Sequence, residues 1–188
     1  MSEYKKIHGI HVQALASDPS NLGAGQVWYN TTTNKLKITA VSTTGTWATG
    51  GNLGTSRRYL AGCGTQTAGL AFGGTSDGST ALNVTEHYDG SAWTSGGNMA
   101  TARYKLAGAG TQTSGLAFGG YANNATEHYD GSAWTAGGNL GTGRYAIAGA
   151  GTLSAGLGFG GYDGSSAVVN ATEEYAGPGI TTQTGTTS

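Results

Sequence analysis

Small and apolar residues recur along the chain in short runs, each closed by Gly, Asn or Asp, and these runs read as short β-strands separated by turns. Within Thr-Glu-His-Tyr at 126–129, a two-residue alternation sets Glu127 and Tyr129 on one face and His128 and Asp130 on the other. The pattern repeats at long range. Residues 57–74, Arg-Arg-Tyr-Leu-Ala-Gly-Cys-Gly-Thr-Gln-Thr-Ala-Gly-Leu-Ala-Phe-Gly-Gly, align with 103–120 and 144–161. Each unit continues into a second half: Thr-Glu-His-Tyr-Asp-Gly-Ser-Ala-Trp at 85–93 and 126–134, and Thr-Glu-Glu-Tyr at 172–175.

Every unit predicts four strands: Leu-Ala-Gly-x-Gly-Thr, Gly-Leu-Ala-Phe, Thr-Glu-His-Tyr and Ser-Ala-Trp-Thr. The Asp-Gly pairs at 89–90 and 130–131 supply the hairpin turn before the fourth, because both positions tolerate φ > 0. Unit length varies only between the Gly-Gly doublet and the next Tyr, at 75–84, 121–125 and 162–171, where a surface loop belongs. Trp47, in Gly-Thr-Trp-Ala-Thr-Gly-Gly-Asn, matches the fourth strand of a unit, whereas the last unit stops at its third strand with Tyr175. An unpaired edge invites association, so the Trp47 strand either completes the last unit of its own chain or subunits complete one another.

Composition reinforces this all-β reading. With 36 Gly and 10% charged residues an all-α chain is excluded, since each interior Gly costs about 1 kcal/mol relative to Ala in a helix. Two Pro and no strict glycine period exclude collagen. A net charge of −1 leaves no positive excess to neutralise a phosphate backbone, which argues against nucleic acid as the partner. No stretch approaches the roughly 18 apolar residues of a membrane span, and the N-terminal apolar run is broken by His8, Gly9, His11 and Gln13, so neither membrane insertion nor a signal peptide is expected.

The first 46 residues form a different module, with strand-like segments at 26–30 and 35–39 joined by a Thr/Asn turn. Residues 47–176 hold the repeats, and 177–188 read as a flexible or docking tail.

A Gly-Gly doublet ending a strand, then Tyr, then Trp five residues later, with Arg opening the unit, resembles the kelch repeat. The resemblance implies four-stranded blades of a β-propeller. The units are shorter than the usual kelch length of about 50 residues, and three are fewer than the usual four to eight blades. Two chains would supply six blades; a trimer would instead build a threefold body. The N-terminal Gly-Gln-Val-Trp-Tyr-Asn-Thr-Thr-Thr-Asn-Lys-Leu-Lys resembles a hairpin of bacteriophage tail fibres and other virion appendages, which in marine phages precedes kelch-like Gly/Thr-rich arrays. The combined resemblance implies a virion structural protein, made in the host cytoplasm, that assembles as a homo-oligomer. Residues 1–46 would attach it to other virion proteins, and the blades would contact host surface glycans. The other reading is a soluble carbohydrate-binding kelch-type propeller module.

Several side-chain sets bear on chemistry. Arg57, Arg103 and Arg144 either present a ring of guanidinium groups to an anionic glycan or pair with Glu86, Glu127 and Glu173; the simpler partners are the glutamates of the same units. Tyr88, Tyr129 and Tyr175 with Trp47, Trp93 and Trp134 are expected to pack between blades. Receptor contact is expected from the variable loops, through Thr75, Ser76, Asp77, Tyr121, Asn123, Asn124, Tyr162 and Asp163. Cys63 aligns with Ala109 and Ala150 and so occupies a small-residue strand position. The histidines, His8, His11, His87 and His128, do not build a metal site, and the glycine runs lack the Lys-Ser/Thr of a phosphate loop. Asn83, Asn124 and Asn170 open strands rather than carry glycans. No cofactor and no enzymatic activity are expected; the Tyr/His/Cys metal ligands of kelch-type enzymes such as galactose oxidase have no counterpart here.

Overall fold

A computed structural model describes residues 4–7, 10–21, 23–40, 45–121 and 123–178, and no helix occurs among them. The expected tail lies outside these residues from position 179 onward, as does His8. The chain divides into two units, Met1–Ala48 and Thr49–Ser188, two residues past the boundary expected from sequence.

In the first unit, β1 (Tyr4–Ile7), β2 (Ile10–Leu15), β3 (Val27–Asn30) and β4 (Lys35–Ile38) form one sheet in chain order. The expected hairpin is β3–β4, closed by Asn34 at φ 53°, a left-handed conformation Asn tolerates. β1 and β2 enlarge it, and β2 runs parallel to β3. Asp18, itself exposed, ties together side chains of β3 and β4. Its Oδ1 accepts from buried Trp28 Nε1 at 3.1 Å and Asn30 Nδ2 at 2.8 Å, and its Oδ2 pairs with Lys37 Nζ at 2.6 Å. Hydrogen bonds from Lys37, Asn30 and Trp28 hold the carboxyl at about 2, below its ordinary 3.8.

The second unit contains three repeat sheets. The first is β5 (Ala61–Thr65), β6 (Ala68–Phe72), β7 (Thr85–Tyr88) and β8 (Trp93–Ser95); the second is β9 (Ala107–Thr111), β10 (Ser114–Phe118), β11 (Thr126–Tyr129) and β12 (Trp134–Ala136). The third has β13 (Ala148–Gly151), β14 (Ala155–Phe159) and β15 (Thr172–Ala176). All pairings within them are antiparallel. Of the two alternatives for Trp47, completion of the last sheet within its own chain does not occur: Trp47 lies in no strand and is fully exposed, and the third sheet has three strands among the described residues. No closed barrel or propeller forms among the described residues.

β9 runs alongside β5 on one side and β13 on the other. Close approach is what the glycines serve. A Cβ at Gly108 would lie 2.5 Å from Phe72 Cζ, and one at Gly149 would lie 2.8 Å from Phe118 Cζ. The Gly-Gly doublet has a different cause, since both members take positive φ in every repeat, 66° and 101° at Gly73 and Gly74, where a side chain would be strained.

Each repeat is stapled by one ion pair, buried on both sides in the first two repeats and partly exposed at the carboxylate in the third. Arg57, Arg103 and Arg144 approach Glu86, Glu127 and Glu173 to 3.1, 2.9 and 2.9 Å. The same guanidinium donates to the first Gly of the doublet and to the residue before the third strand: Arg57 Nη1 reaches Gly73 O at 3.2 Å and Val84 O at 2.7 Å. The carboxylate takes a linker amide, from Gly54, Ala100 or Gly141, at 2.6–2.7 Å. Burial lowers the Arg57 and Arg103 pKa, and the facing carboxylates oppose that shift. These arginines are structural, and a glycan-facing ring of guanidinium groups is ruled out because the side chains are buried.

Trp134 is buried between Phe72 and Tyr129, at ring-centroid distances of 4.9 and 4.8 Å, and its Nε1 donates to the Thr85 hydroxyl at 2.9 Å. His87 Nε2 meets the Tyr129 hydroxyl at 2.7 Å, and His128 meets that of Tyr175 in the same way. Asn83 and Asn124 each donate to a linker carbonyl, Met99 O and Leu140 O, at 3.1 Å.

Two outcomes are expected. Trp134→Ala destabilises the chain by about 3–5 kcal/mol in denaturant unfolding, and a loss below about 1 kcal/mol contradicts the packing described. The depressed Asp18 pKa stabilises the first unit fully above pH 3.8, and this is lost as pH falls through about 2. The Trp28 indole N–H resonance should therefore hold its position at pH 5 and collapse as pH falls toward 2, and Asp18→Asn should abolish that step; a wild-type resonance indifferent to acid contradicts the assignment.

Candidate functional site

One end of the repeat unit carries a row of tyrosines that follows from backbone pairing. The residue after each repeat arginine pairs with the residue after each Gly-Gly doublet. Arg58 and Thr75 exchange backbone hydrogen bonds at 2.9 Å, Tyr121 N donates to Tyr104 O at 3.0 Å, and Tyr145 and Tyr162 exchange bonds at 3.0 and 2.9 Å. Paired residues on adjacent chain segments place their side chains together. In the second and third repeats both partners are tyrosine, so the rings stack: Tyr104 on Tyr121 at 5.4 Å and 18°, Tyr145 on Tyr162 at 5.3 Å and 15°.

The following residue in each repeat, Tyr59, Lys105 or Ala146, is left-handed, with φ of 56°, 56° and 50°. This conformation turns the chain so that Lys105 N donates to Tyr59 O at 2.8 Å and Ala146 N to Lys105 O at 2.7 Å, stepping from one repeat to the next. Tyr121 then approaches Tyr145 at 5.3 Å, and Tyr59 lies 6.5 Å from Tyr104. Lys105 Nζ sits 5.2, 5.3 and 5.8 Å from the rings of Tyr145, Tyr59 and Tyr121, within cation–π range. Arg58 lies over the outer end of the row, 5.4 Å from Tyr59. Tyr59, Tyr121 and Tyr162 are exposed. The surface offers flat aromatic faces, phenolic hydroxyls, the Lys105 ammonium and the Arg58 guanidinium, a combination suited to neutral or anionic sugar rings.

The nominated loop residues fall into two groups. Tyr121 and Tyr162 belong to the row, and Ser76 is exposed beside the first repeat's loop start. Thr75 is fully buried, which removes it as a receptor contact; its hydroxyl donates to Asp77 Oδ1 at 3.0 Å and accepts from Gly78 N at 2.9 Å. Asp77 and Asp163 are turned inward on their own loops. Asp77 Oδ1 accepts from Ser79 N and Thr80 N at 2.8 Å, and Asp163 Oδ1 from Ser165 N and Ala167 N at 2.9 and 3.0 Å. Hydrogen bonds, foremost from the Thr80 and Ser165 hydroxyls, hold both carboxyls below the usual range. Asn123 Oδ1 accepts from Ala125 N at 2.6 Å, and Asn124 caps its linker. Tyr145 Oη ties down the third loop through Ser166 at 3.0 Å.

Tyr59, Tyr104, Lys105 and Tyr145 were not foreseen. The available signal was the coincidence of Tyr after Arg and Tyr after Gly-Gly in the second and third repeats. Elsewhere, burial pushes the Cys63 thiol up to about 11, which leaves it unreactive as a nucleophile. No group of three His, Cys, Asp or Glu placed to hold a metal occurs among the described residues. No family model and no curated protein matches the chain.

Lys105→Ala is expected to lower stability by about 0.5–1 kcal/mol through loss of the cation–π contacts, read as a shift of the urea midpoint. An unchanged midpoint would mean that the ammonium does not engage the rings.

Proposed function

We propose that the chain is a structural component of a bacteriophage virion, a tail fibre or similar appendage, that self-assembles and touches host surface glycans. The observation that carries this reading is the exposed tyrosine row on a rigid scaffold of repeated sheets, in a chain that also has a separate N-terminal sheet unit. The repeat sheets are read as kelch-like propeller blades. The N-terminal unit serves attachment to the particle, and the tyrosine row faces outward. A net charge of −1 and the inward-turned loop carboxylates suit contact with sugars better than contact with nucleic acid. The chain is read as non-enzymatic and without a cofactor: its repeated ionic residues are spent on the buried staples, and its one thiol is unreactive.

The tyrosine row alone would equally serve a soluble carbohydrate-binding propeller module, and deletion of residues 1–46 separates the two. On the virion reading the truncated chain, which keeps Trp47 and the repeats, fails to enter particles while the full chain enters. Normal incorporation of the truncated chain contradicts the attachment role. Tyr121→Ala with Tyr162→Ala should leave incorporation intact and reduce adsorption to host cells.

A further inference from the structure

The repeat sheets make one interface twice. Leu70 Cδ2 lies 2.9 Å from the Cβ position of Gly115, and Leu116 Cδ2 lies 2.5 Å from that of Gly156. Phe72 and Phe118 cover Gly108 and Gly149 in the same manner, and a histidine meets the next sheet's tyrosine hydroxyl in both. The third sheet presents the same groups to solvent. Phe159 is 39% exposed, against 0% and 3% for Phe72 and Phe118. At the other end, the first sheet holds the receiving side, an open groove that includes Gly62, Gly69, Tyr88 and Trp93. The chain therefore carries both unmatched halves of a contact that it already forms internally.

A second observation fixes the register. Trp134 fills the space between the first and second sheets, packed on Phe72 and Tyr129 with its N–H on Thr85. The corresponding space between the second and third sheets is a partly open pocket, lined by Phe118, Thr126 and Tyr175 at the equivalent positions. Trp47 is fully exposed, in Trp-Ala-Thr-Gly-Gly-Asn-Leu-Gly-Thr, which matches Trp-Thr-Ala-Gly-Gly-Asn-Leu-Gly-Thr at 134–142.

The linker after Trp47 is already seated on the first sheet as the linker after Trp134 is seated on the third. Gly50 lies beside the Tyr88 hydroxyl as Gly137 lies beside that of Tyr175, and Gly54 N donates to Glu86 as Gly141 N does to Glu173. Trp134 belongs to the sheet preceding the one its linker docks on, so Trp47 belongs to a sheet preceding the first. Trp47 is fully exposed and in no strand, so it does not fill the pocket of its own chain.

We propose that a second copy of this chain docks its first sheet on the third sheet, head to tail, and adds its residues 46–48 as the missing fourth strand. Its Trp47 enters the open pocket between Phe118 and Tyr175, with the indole N–H donating to the Thr126 hydroxyl. Glu174, which stands where the other sheets have histidine, accepts from the Tyr88 hydroxyl of the second copy. Two such contacts close a ring of six blades and leave no repeat sheet with an uncovered face. The inference rests on the reading of the chain as self-assembling.

Sedimentation equilibrium of the full chain over a wide concentration range tests it, with Trp47→Ala and Phe159→Glu, both at exposed positions that leave the folded chain intact. Wild type is expected at twice the 18.8 kDa chain mass. Each substitution should weaken the dimer by about thirtyfold or more, as for a buried aromatic anchor. A monomeric or trimeric wild type overturns the docking, and a monomer overturns the self-assembly reading with it. A dimer insensitive to Trp47→Ala overturns the docking alone, as does one lost only on truncation after Pro178, which would assign the contact between copies to the C-terminal residues.

Discussion

A bulky side chain over a glycine is the contact on which the repeat unit depends. Phe72 over Gly108 and Phe118 over Gly149 bring neighbouring sheets closer than any larger residue allows. Leu70 and Leu116 repeat the arrangement over Gly115 and Gly156. A single repeat sheet has two faces and little bulk, so it buries its aromatic and aliphatic groups only against another sheet. The high glycine content is thus a requirement of inter-sheet packing, and it explains how a chain so poor in large apolar residues builds a core. The same requirement leaves each end of the stack with a face that has no neighbour.

Glycine-rich strands hold their loops only if something else fixes the chain between them, and the Arg–Glu staple does this in every repeat. In the first two repeats, where both partners are buried, removing one of them costs about 3–5 kcal/mol, because it strands a charge away from water. The staple joins the doublet, the entrance to the third strand and the incoming linker through one guanidinium and one carboxylate. It fixes the residues on either side of the arginine and the doublet, and those flanking residues build the tyrosine row. The exposed surface is consequently as regular as the core beneath it.

Much of this was legible in the amino-acid pattern. The three repeats, the order of their strands, the Arg–Glu pairing, the burial of Trp134 and the β3–β4 hairpin follow from residue types at fixed spacing. β1 and β2 were not, because Ile10, Val12 and Ala14 alternate too briefly beside His8-Gly9 to mark a strand, and the parallel pairing of β2 with β3 is a long-range choice. Thr75 was misjudged because a polar residue opening a loop reads as exposed, whereas its hydroxyl is consumed in closing that loop. The tyrosine row depends on a backbone bridge between residues distant in sequence and on three left-handed residues, two of them bulky, which no propensity would assign there. Trp47 reads as a fourth strand for the last unit because its segment matches the one at Trp134, yet it lies in no strand and is fully exposed, since a sequence match does not say which sheet edge lies within reach.

Native-state hydrogen exchange tests most directly whether inter-sheet contact governs the structure. In dilute solution the amides of β10 and β11, flanked by sheets on both sides, should exchange slowest, and those of β6, β7, β14 and β15 faster. Raising the protein concentration should bring the outer sheets level with the middle one as their free faces become covered. Three sheets exchanging alike at every concentration, or outer sheets slower than the middle one, would contradict the account.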